Sequence, residues 1–430
     1  MFRFLHAADI HLDSPLKGLV LREGAPVERL RRATRDAFEN LIATAIARRV
    51  DLLVISGDIF DVGLDDAHTG QFFLLQMRKL REAQIPVVLI RGNHDAQDRI
   101  TYSLPKQDRV FVLDESKPQS LGPEELGIDA PVAIHGQSFA TRHVTERVVE
   151  RYPARRAGLF NIGLLHTSLD QVGGGHDVYA PCGLADLARL EYQYWALGHI
   201  HRRSLPTEAK DKSWVVFPGN LQGRHARERG PKGCVLVEVD DRGIAAEPEF
   251  IPLDVVRWDE CRLTVTADQQ QDDVEQAFRL ELARLKGAAD GRLLSLRVKV
   301  TGTCRPDLHR HWLGRSDQMA QQWRDITLYE HGDEVWLEKI EFDAAPRREL
   351  EEIDESAVGE LLHLIEELGQ ESAMIDEFQK SLADLRNKLP LELTSDAAAE
   401  PLRLDDPSWI AGQVTFARAM LAERLKESTS

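Results

Sequence analysis

Five short runs of oxygen- and nitrogen-bearing side chains, each directly behind a stretch of apolar and often β-branched residues, constrain what the first 201 residues of this chain can become. They are Asp9 and His11 in FLHAADIHLD, Asp58 and Asp61 in LLVISGDIFD, Asn93 and His94 in VVLIRGNHD, His166 in NIGLLHTSL, and His199 with His201 in YWALGHIH. Such apolar stretches read as buried strands, and each polar run as the loop where a strand ends. In open α/β sheets that edge is where ligands bind. A lone Asp-x-His or Gly-Asp is more often a turn or cap than a ligand. Five in this order, all at strand ends, point to one convergent site.

The side chains narrow the chemistry. Imidazoles, carboxylates and one amide, with no thiolate, suit manganese, iron or zinc. A hydrolytic pair of ions sits about 3.5–4 Å apart and needs a bridging ligand, a role that the two oxygens of a carboxylate can fill. Asp58, flanked by Gly57 and central in the series, is the candidate bridge. Two dications would hold phosphoryl oxygens, lower the pKa of a shared water so that hydroxide exists near neutral pH, and stabilise the charge of in-line attack. His94 is then free to give a proton to the leaving oxygen, and the adjacent Asp95 is expected to orient its ring. Phosphate-ester hydrolysis is the expected activity.

The series DxH, GDxxD, GNHD, a lone His and GHxH resembles that of the calcineurin-like metallophosphoesterases. The text around it, HTSLDQVGGGHDVYAPCGLADL, YWALGHIHRR and VVFPGNLQGRHARERGPKGC, resembles the SbcD nuclease branch over most of residues 1 to 250, in particular the YhaO-type DNA repair exonucleases. The resemblance implies an α/β fold in which two sheets pack face to face in an αββα sandwich. It implies two divalent ions, manganese foremost. One is held by Asp9, His11, Asp58 and His201, the other by Asp58, Asn93, His166 and His199. His94 resembles the family's catalytic, non-ligating histidine, supported by Asp95. Some nuclease relatives carry at position 61 a histidine that approaches the scissile phosphate. This chain has Asp61, as bacterial members do. A negative group cannot make that contact, so Asp61 is expected to orient a ligand or a water.

At 430 residues the chain exceeds one ordinary core, so two or three domains are expected. Its 43% apolar and 29% charged content is that of a soluble globular protein. No apolar run spans a bilayer and no cleavable signal pattern opens the sequence, so the expectation is a cytoplasmic protein without a membrane partner. Cys182, Cys234, Cys261 and Cys304 show no close CxxC spacing and read as free thiols. The first domain is expected over 1–253, with amphipathic helices at 27–48, where Leu30, Phe38, Leu41, Ile42 and Ala45 share a stripe, and at 67–83. A β-α-β-α-β module follows over 254–346 and resembles the capping domain of SbcD-type nucleases.

From 347 to 430 the composition changes, with 19 acidic and 9 basic residues carrying −10 of the total −17. Apolar residues at helical spacing between Val358 and Leu385 predict one long helix or a helix pair over 354–388, broken near Gly369 and ended by Pro390. A further helix is expected over 407–427, starting at Pro407. Such stripes either pack on the protein's own body or dock on a partner helix. The resemblance implies docking on the coiled coil of an SMC-like ATPase of the YhaN/SbcC type, and it admits a homodimer.

Acidic balance gives a nuclease little help from its overall field. The acid is concentrated in the tail, however, and local basic text exists: Arg202 and Arg203; Arg224, Arg227, Arg229 and Lys232 around His225; and Arg305, Arg310 and Arg315. Of these, Arg202, Arg224 and His225 are candidate substrate contacts, and His176 is a further groove candidate, although solvated surface is the commoner fate of arginine. His6, His68, His135, His143, His309, His311, His331 and His363 lack motif context and are expected on the surface or hydrogen-bonded in the core. The leading reading is a manganese-dependent DNA phosphodiesterase, an exonuclease or endonuclease, working in DNA repair with an ATPase partner. A small-nucleotide phosphoesterase is the alternative, which the capping unit and tail argue against. A largely structural subunit with an idle site is a third reading, which the complete ligand set argues against.

Overall fold

A computed structural model describes residues 1–14, 25–61, 67–97, 105–169, 179–206, 213–346 and 380–382, with 402–404, 406–407, 409–410 and 412–413 in the tail. In chain order, strands β1 (Phe2–Ala7), β2 (Leu52–Ser56), β3 (Val87–Ile90) and β4 (Val110–Val112) alternate with helices α1 (Val27–Ala47) and α2 (Ala67–Glu82). A second run gives β5 (Gln119–Leu121), β6 (Val132–Gly136), β7 (Phe160–His166), the short helix α3 (Leu184–Arg189), β8 (Tyr194–Gly198) and β9 (Trp214–Val216). The chain then returns to the first sheet with β10 (Gly233–Asp240), β11 (Gly243–Ile244) and β12 (Glu249–Pro252).

Two sheets result. The first has the order β11-β10-β1-β2-β3-β4 with β12 on β10, and the second β5-β6-β7-β8-β9. Strands β1 to β4 are mutually parallel, as are β6 to β9. Both faces of the central strands are apolar, because each sheet is covered on both sides. Phe4, Leu52, Val54, Val88 and Ile90 face Val132, Ile134, Ile162, Leu164, Tyr194 and Ala196 in the core between the sheets. Their alternating neighbours Leu5, Leu53, Ile55 and Leu89 turn outward against Phe38, Leu41, Ile42, Phe73 and Met77 of α1 and α2. On the far side of the second sheet, Leu165, Trp195 and Leu197 pack with Val148, Val149, Tyr152 and Leu187. This is the αββα sandwich, and α1 and α2 fall where the helical spacing predicts them.

The third sheet follows in the order β13-β14-β15, from β13 (Val256–Val265), β14 (Leu293–Cys304) and β15 (Val335–Phe342), with α4 (Gln271–Ala288) and α5 (Pro306–His331, kinked at Arg315) between its strands. Phe278 stacks on Trp323 at 4.3 Å, and Trp323 meets Phe342 at 5.4 Å, which closes this module's own core. Trp258 and Trp336 pack against Leu30 and Ala33 of α1 and against Ala226, so the module is seated on the sandwich beside the segment carrying Arg224 and His225.

These residues belong to one compact unit, Met1–Val265, Gln270–Thr301 and His311–Asp343. A second unit takes Thr266–Gln269, Gly302–Arg310 and the residues from Ala344 on, and within it Thr303 and Cys304 pair with Ala345 and Pro346. Most of the expected tail helices lie outside the described residues. Residues 407, 409, 410, 412 and 413 are helical, with the Trp409 N–H donating to Asp406 Oδ1 at 3.4 Å. The four cysteines are buried free thiols. No helix among the described residues is long and apolar enough to cross a membrane.

Gly163 of β7 pairs with Trp195 of β8, and a β-carbon there would run into the indole ring. Gly163→Ala should therefore destabilise the fold by about 1–3 kcal/mol through overpacking. A lowered denaturant midpoint at unchanged slope checks this, and an unchanged midpoint counts against a fixed Trp195.

Candidate metal centre

Parallel register carries the five sequence runs to one edge. Ala7 is level with Ile55, Ser56 with Ile90, and His166 with Gly198, so the loops after β1, β2, β3, β7 and β8 leave on the same side. The backbone there is bent out of ordinary regions. Asp9, His11, Asp58 and His199 have φ of 50°, 47°, 53° and 96°. Left-handed backbone costs a non-glycine residue roughly 1–2 kcal/mol, and Asp and His tolerate it better than most. Four such residues round one cavity are strain of the kind that tertiary structure holds in place at functional sites.

Two glycines permit the closeness. A β-carbon on Gly92 would strike the Asp58 carboxylate and the His166 ring, and one on Gly198 would strike the Ser56 carbonyl oxygen. The loops of the two sheets can therefore meet backbone to side chain.

The expected ligands converge. Asp9, His11 and His201 offer ligand atoms within 4.8 Å of one another, as do Asp9, Asp58 and His166, and His11, Asp58 and His94. Asp58 Oδ2 lies 3.8 Å from His11 Nε2 and 3.5 Å from His166 Nε2, between the two halves. His166 donates from Nδ1 to the Ser56 carbonyl at 2.9 Å, which leaves Nε2 to face Asn93 Oδ1 at 2.9 Å. His199 lies edge-on to His166, with ring centroids 5.3 Å apart, and its N–H donates to both oxygens of Asp9 at 3.0 and 3.1 Å.

Asp61, not Asp95, holds the His94 ring. Asp61 Oδ1 is 2.7 Å from His94 Nδ1 and its Oδ2 accepts from Ser14 Oγ at 2.6 Å. Adjacency in sequence suggests Asp95, but Asp95 begins the 3₁₀ turn Asp95–Gln97 and its carboxylate points into the backbone. There it accepts from the N–H groups of Ile59, Phe60 and Gly92 at 2.9–3.1 Å, clamping the loop after β2 to the loop after β3. Burial and the nearby charge of Asp58 push its pKa up to about 6, against those three donors.

Sequence reading missed Glu228. This buried carboxylate accepts from His201 Nδ1 at 2.6 Å, from Asn220 Nδ2 at 3.0 Å and from the Arg224 N–H at 2.6 Å. It fixes the His201 tautomer so that Nε2 faces the cavity, an arrangement common behind metal-bound histidines. Its one sequence signal was an acid inside the basic run GRHARERG. The substrate candidates part ways here. Arg224 and His225 gather round Glu228 at 3.6 and 3.8 Å, whereas Arg202 is exposed and His176 lies outside the described residues.

The cavity fits cations. His11 Nε2 and His201 Nε2 face each other at 3.1 Å, and His11 Nδ1 is buried without a hydrogen-bond partner among the described residues. With its Nδ1 given to Glu228, His201 turns Nε2 toward His11 Nε2, a pair of imidazole nitrogens that fits ligation of one shared cation. Burial together with the Arg224 charge holds His11 neutral, far below its ordinary range. His166 behaves oppositely: burial resists its charging, yet the carboxylates of Asp58 and Asp9 lift it to about 9. A site that draws a proton onto a buried imidazole attracts positive charge. Burial also resists charge on Asp58, but His166, His11 and His94 keep it ionised, well below the usual carboxylate range. For His94 the hydrogen bond to Asp61 and the charges of Asp58 and Asp61 outweigh burial and raise it.

Residues 2–203 match the family described as calcineurin-like phosphoesterase, and 258–345 match the middle domain of metallophosphoesterase YhaO. The uncharacterized metallophosphoesterase YhaO of Bacillus subtilis is 31% identical over 300 residues, 70% of this chain and 72% of that protein. The chain belongs to the calcineurin-like metallophosphoesterases. Membership makes this metallophosphoesterase a phosphoester hydrolase whose Asp and His clusters bind divalent metal. It is also similar to the DNA double-strand break repair protein Mre11 of Sulfurisphaera tokodaii, 29% identical over 47% of this chain and 49% of that protein. The Mre11 protein of Saccharolobus solfataricus is 28% identical over 51% and 54%. The metallophosphoesterase thus spans about half the length of these Mre11 relatives.

Glu228→Gln should weaken divalent-metal binding about 10–100-fold without unfolding the protein, as loss of a histidine's supporting carboxylate does elsewhere. Calorimetric titration checks this, and unchanged affinity would remove Glu228 from that supporting role.

Proposed function

We propose that the metallophosphoesterase is a manganese-dependent DNA phosphodiesterase, an exonuclease or endonuclease of DNA repair that works with an SMC-like ATPase in the cytoplasm. The observation that carries the chemistry is Asp58, one carboxylate within 4.0 Å of imidazole nitrogens from both halves of the site. In this reading Asp9, His11, Asp58 and His201 hold one ion, and Asp58, Asn93, His166 and His199 the other. Bound there, the ions supply Lewis-acid polarisation of the phosphoryl oxygens and a more acidic water.

The chain's own residues do the rest. Asp61 holds His94 by Nδ1, leaving the other ring nitrogen to pass its proton to the leaving sugar oxygen. Ser56 and Glu228 set the tautomers of His166 and His201, so each presents Nε2 without rearrangement. Asp95 keeps the loops bearing Asp58 and Asn93 in register. Support for DNA as the substrate comes from the Mre11 relatives, whose name states DNA double-strand break repair. Support for three functional parts, a nuclease domain at 1–253, a capping domain at 254–346 and a partner-binding tail from 347, comes from the β-α-β-α-β module beside the site and the acidic, striped tail.

With manganese, the purified protein should degrade end-labelled duplex DNA in preference to cyclic nucleotides or nucleoside monophosphates; the reverse preference would favour a small-nucleotide enzyme. His94→Ala should lower kcat by about 10²–10⁴-fold, the usual contribution of a general acid, with two ions still bound. Asp58→Ala should lose both ions, so a variant that keeps two per chain refutes the bridge. Removal of residues 347–430 should spare hydrolysis of a chromogenic phosphodiester and abolish capture of the ATPase, whereas retained capture would place the dock elsewhere.

A further inference from the structure

We propose that Arg224 is a positioning residue that ties the carboxylate steering His94 to the carboxylate steering His201, so that one guanidinium sets both the proton donor and a metal ligand. This rests on the two-ion phosphodiesterase reading above. Arg224 Nη1 lies 3.5 Å from Asp61 Oδ2 and 3.2 Å from Ser14 Oγ, the hydroxyl that itself donates to Asp61. Nη2 lies 3.6 Å from Glu228 Oε1 and 3.4 Å from His201 Nδ1, and the Arg224 backbone N–H donates to Glu228 Oε2 at 2.6 Å. One residue therefore grips Glu228 twice and reaches Asp61 with the other arm of its fork.

Asp61 and Glu228 are both buried carboxylates, and the one guanidinium of Arg224 reaches each of them. The planar fork of arginine spans two acceptors at once, which the compact ammonium of lysine cannot. Only 16% of the Arg224 side chain is exposed, so its charge is turned inward rather than offered to a passing polyanion. Its segment is also held still. The Gly223 carbonyl accepts from Trp258 Nε1 at 2.7 Å, and Gln222 Nε2 donates to the Val256 carbonyl at 2.7 Å, so the third sheet braces the loop that carries the clamp. With Nη1 on Asp61 and Ser14 and Nη2 on Glu228, the guanidinium has fewer donors left for a substrate phosphate.

The two roles separate experimentally. Full-length Arg224→Gln and Arg224→Lys, alone and with Asp61→Asn, would be titrated with manganese by calorimetry and assayed on a p-nitrophenyl phosphodiester and on a dinucleotide, whose alkoxide leaving group needs the proton. Clamping predicts that Arg224→Gln weakens one manganese equivalent about 10–100-fold. It also predicts a fall in kcat of tenfold or more on the dinucleotide, far less on the p-nitrophenyl ester, at unchanged KM. That loss should vanish in the Asp61→Asn background, because the two residues act through one chain of contacts. Arg224→Lys should restore neither effect, and it carries the same comparisons should Arg224→Gln prove unfolded. Manganese binding like the parent's, with a rise in KM alone that adds to the Asp61→Asn effect, would overturn the clamp in favour of a substrate contact. If the parent hydrolyses neither diester, the phosphodiesterase reading falls, and the manganese titration alone decides Arg224: weakened binding supports the clamp and unchanged binding overturns it.

Discussion

Two carboxylates, Asp9 and Asp58, are taken out of water almost completely, at 1% and 2% exposure, and the arrangement of the site follows from what that requires. A buried carboxylate without partners costs several kcal/mol, so each must be met by donors or cations fixed in place. Asp9 is met by the His199 N–H and Asp58 by the His94 N–H, which ties the side chain at one strand end to the backbone at another. The imidazoles of His11, His166 and His201 close the remaining sides. Backbone donors saturate only some of the carboxylate lone pairs. What is left is a pocket of buried carboxylate, imidazole and amide oxygen that draws positive charge, a donor set suited to divalent ions.

Rigidity under that pocket comes from the core between the sheets, which is not wholly apolar there. His6 Nδ1 lies 3.0 Å from Tyr194 Oη, and its Nε2 lies 3.2 Å from Ser56 Oγ, which donates to the Ala196 carbonyl at 2.8 Å. Because the Ser56 hydroxyl is spent on Ala196, His6 must donate to it and accept from Tyr194. Burial keeps His6 neutral, with its pKa down at about 3, so the brace does not change with ordinary pH. The same Ser56 presents its carbonyl to His166. A polar brace across the two sheets thus ends directly on His166, a candidate metal ligand, which suits a preorganised site.

Much of this was legible in the sequence, for a definite reason. Asp9, His11, Asp58, Asn93, His166, His199 and His201 each follow an apolar run, and parallel pairing converts that one-dimensional boundary into a shared edge in space. The stripe from Leu30 to Ala45 was equally plain, since one helix face needs no knowledge of the rest of the fold. What stayed hidden were pairings that depend on the direction of a side chain within a turn. Asp95 is adjacent to His94 yet serves the backbone of two loops, and Asp61, 33 residues away, holds the ring. Glu228 meets His201 across 27 residues of unrelated text, and no spacing rule joins an acid in a basic run to a histidine at a distant strand end.

The basic residues show most clearly why composition misleads about substrate. Around the site they look in sequence like a phosphate-binding surface set in an otherwise acidic chain. In the fold, Lys232 donates to the His201 carbonyl, Arg224 lies between Asp61 and Glu228, Arg229 pairs with Glu260, and Arg203 sits over the Phe250 ring. Arg224 and Lys232 are turned inward at the site, whereas Arg203 and Arg229 stay exposed beside their partners. Under the proposed reading, attraction for a polyanion then rests on the bound ions together with the exposed Arg202, Arg203, Arg227 and Arg229. Under the same reading the net charge of −17 adds no long-range attraction for duplex DNA, so hold on the strand depends on where these few basic residues sit.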